Sequence, residues 1–194
     1  MCGDNVELYR VFIAIEIENI DVLNKLIKVK DAFKATKADI KTIENENIHL
    51  TVRFIGEVPL DTVKAIQESL KNLKDIPVFN MYIRGIGAFP SLTRPRVIWA
   101  GITNGVTYLK EIRRRIEQYL RRLGIRPDTH EFTPHITLAR VKGRRGIDKV
   151  IKLLEIYQDY EFGESPVTRV KLKRSILRPQ GPLYLDLYEV LLKH

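Results

Sequence analysis

The sequence predicts an α+β fold: two pseudo-symmetric lobes of mainly antiparallel sheet, with helices outside and a central cleft. Three observations carry this prediction. Short strand-forming runs alternate with amphipathic helical runs along the chain. A strand bearing a histidine and a threonine two residues apart occurs twice, at His49-Leu50-Thr51 and at His135-Ile136-Thr137. The surroundings of those strands repeat as well. Val11 stands 38 residues before His49, and Val97 stands 38 before His135. Asp61 and Asp148 begin the helices that follow, and Arg84 to Pro90 matches Lys173 to Pro179 in spacing and terminal proline. The offset between the copies drifts only from 86 to 87 to 89. Residues 1–194 therefore read as a single bilobal domain with halves of roughly 9–95 and 96–194.

Taken in order, Tyr9 to Ile17 is a near-continuous apolar run, as expected of a buried strand. Asn19-Ile20-Asp21 offers capping side chains to a helix presenting Val22, Leu23, Leu26, Ile27 and Phe33. The polar connection from Thr36 to Asn47 has room for a short strand near Ile40 to Ile43, and the first histidine strand spans His49 to Gly56. A helix opens at Pro59-Leu60-Asp61 and runs over Thr62 to Leu73, stopped by Pro77. Phe79 to Phe89 and Arg96 to Ile102 form a hairpin, with Gly85-Ile86-Gly87 a site of close backbone packing or a bulge. The longest helix runs from Asn104-Gly105 to Leu123 and ends at Gly124. Its Arg113, Arg114, Arg115, Arg121 and Arg122 fall mostly opposite the apolar stripe, as a solvated face or an RNA-facing ridge. The second histidine strand spans His135 to Val141, followed by the basic turn Gly143-Arg144-Arg145-Gly146. Asp148 caps a helix from Lys149 to Tyr157. Thr168 to Leu177 is a strand, and Leu183 to Leu192 is an extra one.

Composition narrows the function classes. The 194 residues are 44% hydrophobic and 29% charged, as in globular proteins, and no stretch approaches the length of a membrane helix. A secretory signal is not evident and a cytoplasmic location is expected. The single cysteine, Cys2, excludes an internal disulfide and a cysteine-based zinc site. The formal charge of +9 suits a polyanionic partner such as RNA, and equally a thermophilic surface. Phosphate-binding glycine loops, dinucleotide fingerprints and nucleophile elbows are all missing.

On an extended strand residues i and i+2 share a face, so each motif presents an imidazole beside a hydroxyl. Histidine exchanges protons near neutrality, and in-line cleavage of a P–O bond needs one base and one acid. His49 and His135 are thus the candidate acid–base pair, with Thr51 and Thr137 holding the non-bridging phosphate oxygens. Neither motif has a carboxylate beside its histidine, so no metal and no cofactor are expected. His130 and His194 lack such context and read as surface or terminal residues. By strand parity 135, 137 and 139 share one face, so Arg140 and its counterpart Arg53 point elsewhere unless a bulge intervenes.

His49-Leu50-Thr51-Val52 and His135-Ile136-Thr137-Leu138 resemble the duplicated His-x-Thr-x motifs of the 2H phosphoesterase superfamily. Arg84 to Pro90, Arg96 to Gly101 and Pro134 to Arg140 are similar to its branch of RNA 2′,3′-cyclic phosphodiesterases, also called 2′-5′ RNA ligases. The resemblance implies metal-independent hydrolysis of a terminal 2′,3′-cyclic phosphate to a 2′-phosphomonoester, with 2′-5′ joining as the related reaction. It implies His49 as proton donor to the leaving 3′ oxygen and His135 as the base that activates water. The implied partner is RNA with cyclic phosphate ends, tRNA fragments among the candidates, and a monomer away from membranes is expected. Two alternatives stay open: a non-catalytic module that binds RNA ends, and a phosphodiesterase of small cyclic nucleotides or ADP-ribose cyclic phosphate.

Overall fold

In a computed structural model describing residues 7–194, nine strands and four helices alternate along the chain. Cys2 and most of the leading segment lie outside the described residues. The strands are β1 (Leu8–Glu16), β2 (Ile40–Thr42), β3 (His49–Pro59), β4 (Phe79–Phe89), β5 (Val97–Asn104), β6 (His135–Val141), β7 (Glu161–Val167), β8 (Arg169–Ile176) and β9 (Leu183–Leu191). The helices are α1 (Ile20–Ala35), α2 (Leu60–Leu70), α3 (Val106–Arg122) and α4 (Ile147–Tyr157). No helix among the described residues is long and apolar enough to cross a membrane.

The strands run in the order β7-β4-β5-β6-β3-β1-β8-β9, with β2 beside β6, and the named ladders are antiparallel. At its centre β6 meets β3 through one pair, Leu50 with Ile136. These are the middle residues of the two His-x-Thr triplets. Equivalent residues of two antiparallel strands pair with each other only about a local two-fold axis. One step either side, the antiparallel register sets His49 across from Thr137 and Thr51 across from His135.

The central pair divides the sheet into two wings, and these are not the two halves of the sequence. The first wing is β3-β1-β8-β9; the second is β7-β4-β5-β6 with β2. Strand β4 leaves the first half to pair with β5, and β8 leaves the second half to pair with β1. Helices follow the exchange: α2 packs on β1 and β3, while α1 reaches β2, β6 and β7. Each wing therefore holds chain from both halves.

Local chemistry explains most boundaries. Asn19 caps α1, its side-chain oxygen accepting from the amides of Asp21 and Val22. Val22, Leu26, Val29 and Phe33 then form the buried stripe. Asp148 is not the cap of α4; Gly146, in a left-handed conformation, takes that place and Asp148 sits in the first turn. There its carboxylate still favours the helix dipole. The short run at Ile40 is a strand, and β7 is one that its sequence does not announce. β7 reads Glu-Phe-Gly-Glu-Ser-Pro-Val and owes its extended form to pairing with β4. Gly87 is required by packing, because a Cβ there would overlap the Trp99 ring.

Candidate active site

The two wings face a cleft of about 700 Å³ lined by His49, Thr51, His135 and Thr137. All four sequence-predicted residues meet there. Nδ1 of His49 lies 2.7 Å from the carbonyl of Asn47, and Nδ1 of His135 lies 2.7 Å from the carbonyl of Thr133. A carbonyl can only accept, so in both rings Nδ1 carries a hydrogen and Nε2 is left for chemistry. The device is the same twice: the carbonyl two residues before each histidine fixes its tautomer. The acceptor is backbone, so no side-chain pattern advertises it.

Aromatic rings hold each imidazole in place. His49 packs against Phe12 at a centroid distance of 5.2 Å and edge-on to Tyr184 at 5.5 Å. His135 packs edge-on to Phe89 at 5.0 Å and against Trp99 at 6.1 Å. The rings come from β1 and β9 in one wing and from β4 and β5 in the other. The hydroxyl partners differ: Nε2 of His49 is 2.9 Å from Thr51 Oγ1, whereas His135 makes no hydrogen bond to Thr137.

Burial disfavours the charged imidazolium. It pushes His49 down to about 4, with a Lys173 charge adding to the effect and the Asn47 carbonyl and Glu16 opposing it. Desolvation also lowers His135, reinforced by Arg140 and opposed by the Thr133 carbonyl. Desolvation raises the Tyr184 hydroxyl.

Arg140 overturns simple strand parity. In the β5–β6 ladder Ile98 pairs with Ala139 but Trp99 pairs with Thr137, so Leu138 is an extra residue. Leu138 and Ala139 are both buried, and Arg140 returns to the cleft beside Thr137. The first motif bulges likewise, since Ile13 pairs with Arg53 and Ala14 with Thr51. There Val52 and Arg53 are the consecutive buried residues, and Phe54 emerges in the cleft. Phe54, not Arg53, is the positional counterpart of Arg140. Leu138-Ala139 is an adjacent apolar pair in the sequence, whereas Val52-Arg53 gives no such signal.

Arg53 turns inward, 2.6 Å from Glu117 Oε1, with its guanidinium donating to the carbonyls of Phe54 and Arg126. Arg113 joins it. Nη1 donates to the carbonyl of Val52 at the bulge, and Nη2 meets Glu117 and Asp128, each at 2.9 Å. The arginine-rich helix is thus no uniform ridge: Arg113 is buried, and Arg114 and Arg115 pair with Glu111. His130 borders the cleft with its side chain 92% exposed, and His194 is exposed at the terminus. No group of three or more His, Cys, Asp or Glu side chains suited to a metal ion occurs among the described residues.

Comparison with known proteins places this geometry among relatives. The family profile described as the AKAP7 2′5′ RNA ligase-like domain matches residues 9–185. A protein of Aeropyrum pernix named RNA 2′,3′-cyclic phosphodiesterase is 42% identical over 169 residues, covering 87% of this chain and 96% of its own. One of the same name from Methanothermobacter thermautotrophicus is 34% identical over 179 residues, covering 92% and 96%. Among solved structures, a Thermus thermophilus protein superposes with a TM-score of 0.78 at 26% identity, covering 94% of this chain and 97% of its own. Escherichia coli LigT in complex with 3′-AMP shares the fold, with a TM-score of 0.76 at 22% identity, covering 96% and 99%.

Proposed function

The chain belongs to the 2′5′ RNA ligase-like family of 2H phosphoesterases, and on that premise we propose how its cleft works. It is an RNA 2′,3′-cyclic phosphodiesterase, a hydrolase that opens a terminal cyclic phosphate to a 2′-phosphomonoester. The observation that carries this reading is the meeting of two equivalent His-x-Thr strands at Leu50 and Ile136, with both Nε2 atoms left to one cleft. Arg10 and Arg140 along an open cleft favour RNA over a small enclosed ligand.

In the reaction, His135 takes a proton from water as the water oxygen attacks phosphorus. The bond from phosphorus to the 3′ oxygen breaks, and His49 gives its proton to that oxygen. The products are a 2′-phosphate and a free 3′ hydroxyl, with the two histidines left in exchanged protonation states that solvent resets. Thr51, Thr137 and Arg140 hold the non-bridging oxygens in line. A ribose 5′ hydroxyl in place of water would give a 2′-5′ bond. His49 is neutral near pH 7 in the free protein by its lowered pKa, so the arriving phosphate anion is what stabilises its protonated form.

Residues 1–194 form one duplicated domain in this reading, acting as a monomer in the cytoplasm on RNA ends, with tRNA fragments one such class. The test is incubation with an oligoribonucleotide ending in a 2′,3′-cyclic phosphate, with chelator present. Accumulation of the 2′-phosphate, lost in His49→Ala and His135→Ala, is the expected result. Tight binding without turnover would instead identify a non-catalytic RNA-end-binding module.

A further inference from the structure

The two wings differ in how they carry most of their positive charge, with Arg10 of β1 unpaired among the described residues on the first and Arg84 of β4 paired with Asp159 and Glu161 on the second. On the first, Lys171 and Lys173 each bridge Glu16 and Asp186 at 2.6 to 2.7 Å. Arg169 and Arg174 there meet Glu189 and Glu7. On the second, Lys41, Arg94, Arg96, Arg140 and Lys142 form no ion pair with any carboxylate among the described residues, in contrast to the paired cations of the first wing.

These cations have an order. Lys41 of β2 is the cross-strand partner of Arg140 of β6, so the two side chains share a face. Arg140 lines the cleft, and Lys41 extends its charge outward. Like charges directly opposite each other on a sheet repel, and an anion lying between them relieves the repulsion. Val97 pairs with Arg140 from the other side. The neighbouring Arg96, with Arg94 and Pro90, borders a second hollow that shares Phe89 with the main cleft. The path from the site thus runs over an aromatic and apolar floor flanked by cations without partners, the combination that single-stranded RNA occupies through stacking and phosphate contacts.

A cyclic phosphate is the 3′ end of its strand, so all remaining RNA lies on its 5′ side. We propose that this 5′ strand leaves the cleft over the second wing, its next phosphate between Arg140 and Lys41 and the following nucleotides toward Arg94 and Arg96. The proposal rests on the cyclic phosphodiesterase reading, and names an oligonucleotide rather than a mononucleotide as the preferred substrate.

The experiment compares uridine 2′,3′-cyclic phosphate with an oligouridylate ending in the same group, for the wild type and for Lys41→Ala with Arg96→Ala, which remove charge without setting a carboxylate opposite Arg140. The expected result is that kcat/KM on the oligonucleotide falls about tenfold or more, while the mononucleotide stays within about twofold. The salt dependence for the oligonucleotide should flatten by roughly 0.7 in log–log slope per lost phosphate contact. The same truncation at Lys110, exposed on α3, should leave both substrates unchanged. Equal effects on the two substrates, or none on the oligonucleotide, would overturn the path. Wild-type protein that opens neither substrate would instead overturn the functional reading beneath it.

Discussion

His49 and His135 are held by the same device and set in different surroundings. Each donates Nδ1–H to the carbonyl two residues before it, and each is packed by two aromatic rings. Across its strand pair, however, His49 faces Glu16, which belongs to a square of two carboxylates and two lysines. His135 faces Gly101 and lies near the charge of Arg140. His49 thus has charges of both signs beside it, Lys173 lowering its pKa and Glu16 raising it, whereas His135 has the lowering charge of Arg140. Duplication can supply an acid and a base of equal geometry, and their neighbours then make them unequal.

Removing either imbalance-bearing histidine gives the largest expected effect. His49→Ala and His135→Ala should each lower kcat/KM by about 10²- to 10⁴-fold. A cyclic substrate with sulfur in place of the 3′ oxygen separates their roles, because a thiolate leaves without a proton. It should restore much of the rate to His49→Ala and little to His135→Ala; equal restoration would erase the distinction between the two strands.

The bulged positions test the comparison next. Arg140→Ala removes a charge-assisted contact to phosphate of about 2 kcal/mol, a loss of roughly thirtyfold in kcat/KM. Phe54→Ala, at the equivalent place in the other strand, should cost well under tenfold, since it removes no charge. Steady-state kinetics on one oligonucleotide decides whether the equivalent positions differ as expected.

Titration reports on the two histidines with a definite sign. The folded-state pKa of His49, about 4, lies below its ordinary 6.5. Between those values the unfolded chain binds a proton that the folded site refuses, so stability falls as pH drops from 6.5 toward 4. His135, also lowered, acts in the same direction. Thermal unfolding across this window should show the loss, and His49→Gln should diminish it. In kinetics, bound phosphate raises both imidazoles, so the limbs of kcat should lie at higher pH than those of kcat/KM.

The smallest expected effect concerns Glu16. Glu16→Gln leaves Lys171 and Lys173 with Asp186 as their one remaining carboxylate in the square, which disfavours a proton on His49. The alkaline limb of kcat/KM, where the proton donor loses its proton, should move to lower pH by less than about one unit. An unchanged profile would show that the square serves the sheet alone.

The motif residues were legible because they sit at fixed local spacing in runs with clear strand character. Helix α1 was legible for the same reason, with Asn19 ahead of a periodic stripe. Strand β7 was not, since Gly163, Ser165 and Pro166 have no strand preference of their own and β4 supplies the pairing. Asp148 looked like a cap, but Gly146 reaches the left-handed conformation that starts the helix two residues earlier. Alternation turns Arg140 away from the cleft, but that rule holds only while every residue pairs.

The α+β class, the repeated spacing and the two His-x-Thr pairs, His49 with Thr51 and His135 with Thr137, are readable along the chain, because they follow from side-chain type and local period. The exchange of β4 and β8 between wings, the two bulges, and the carbonyls of Asn47 and Thr133 as ring partners appear first in the folded chain. The reason is common to all three. Each is settled by backbone hydrogen bonds between distant segments, and the peptide group that makes them is the same at nearly every residue.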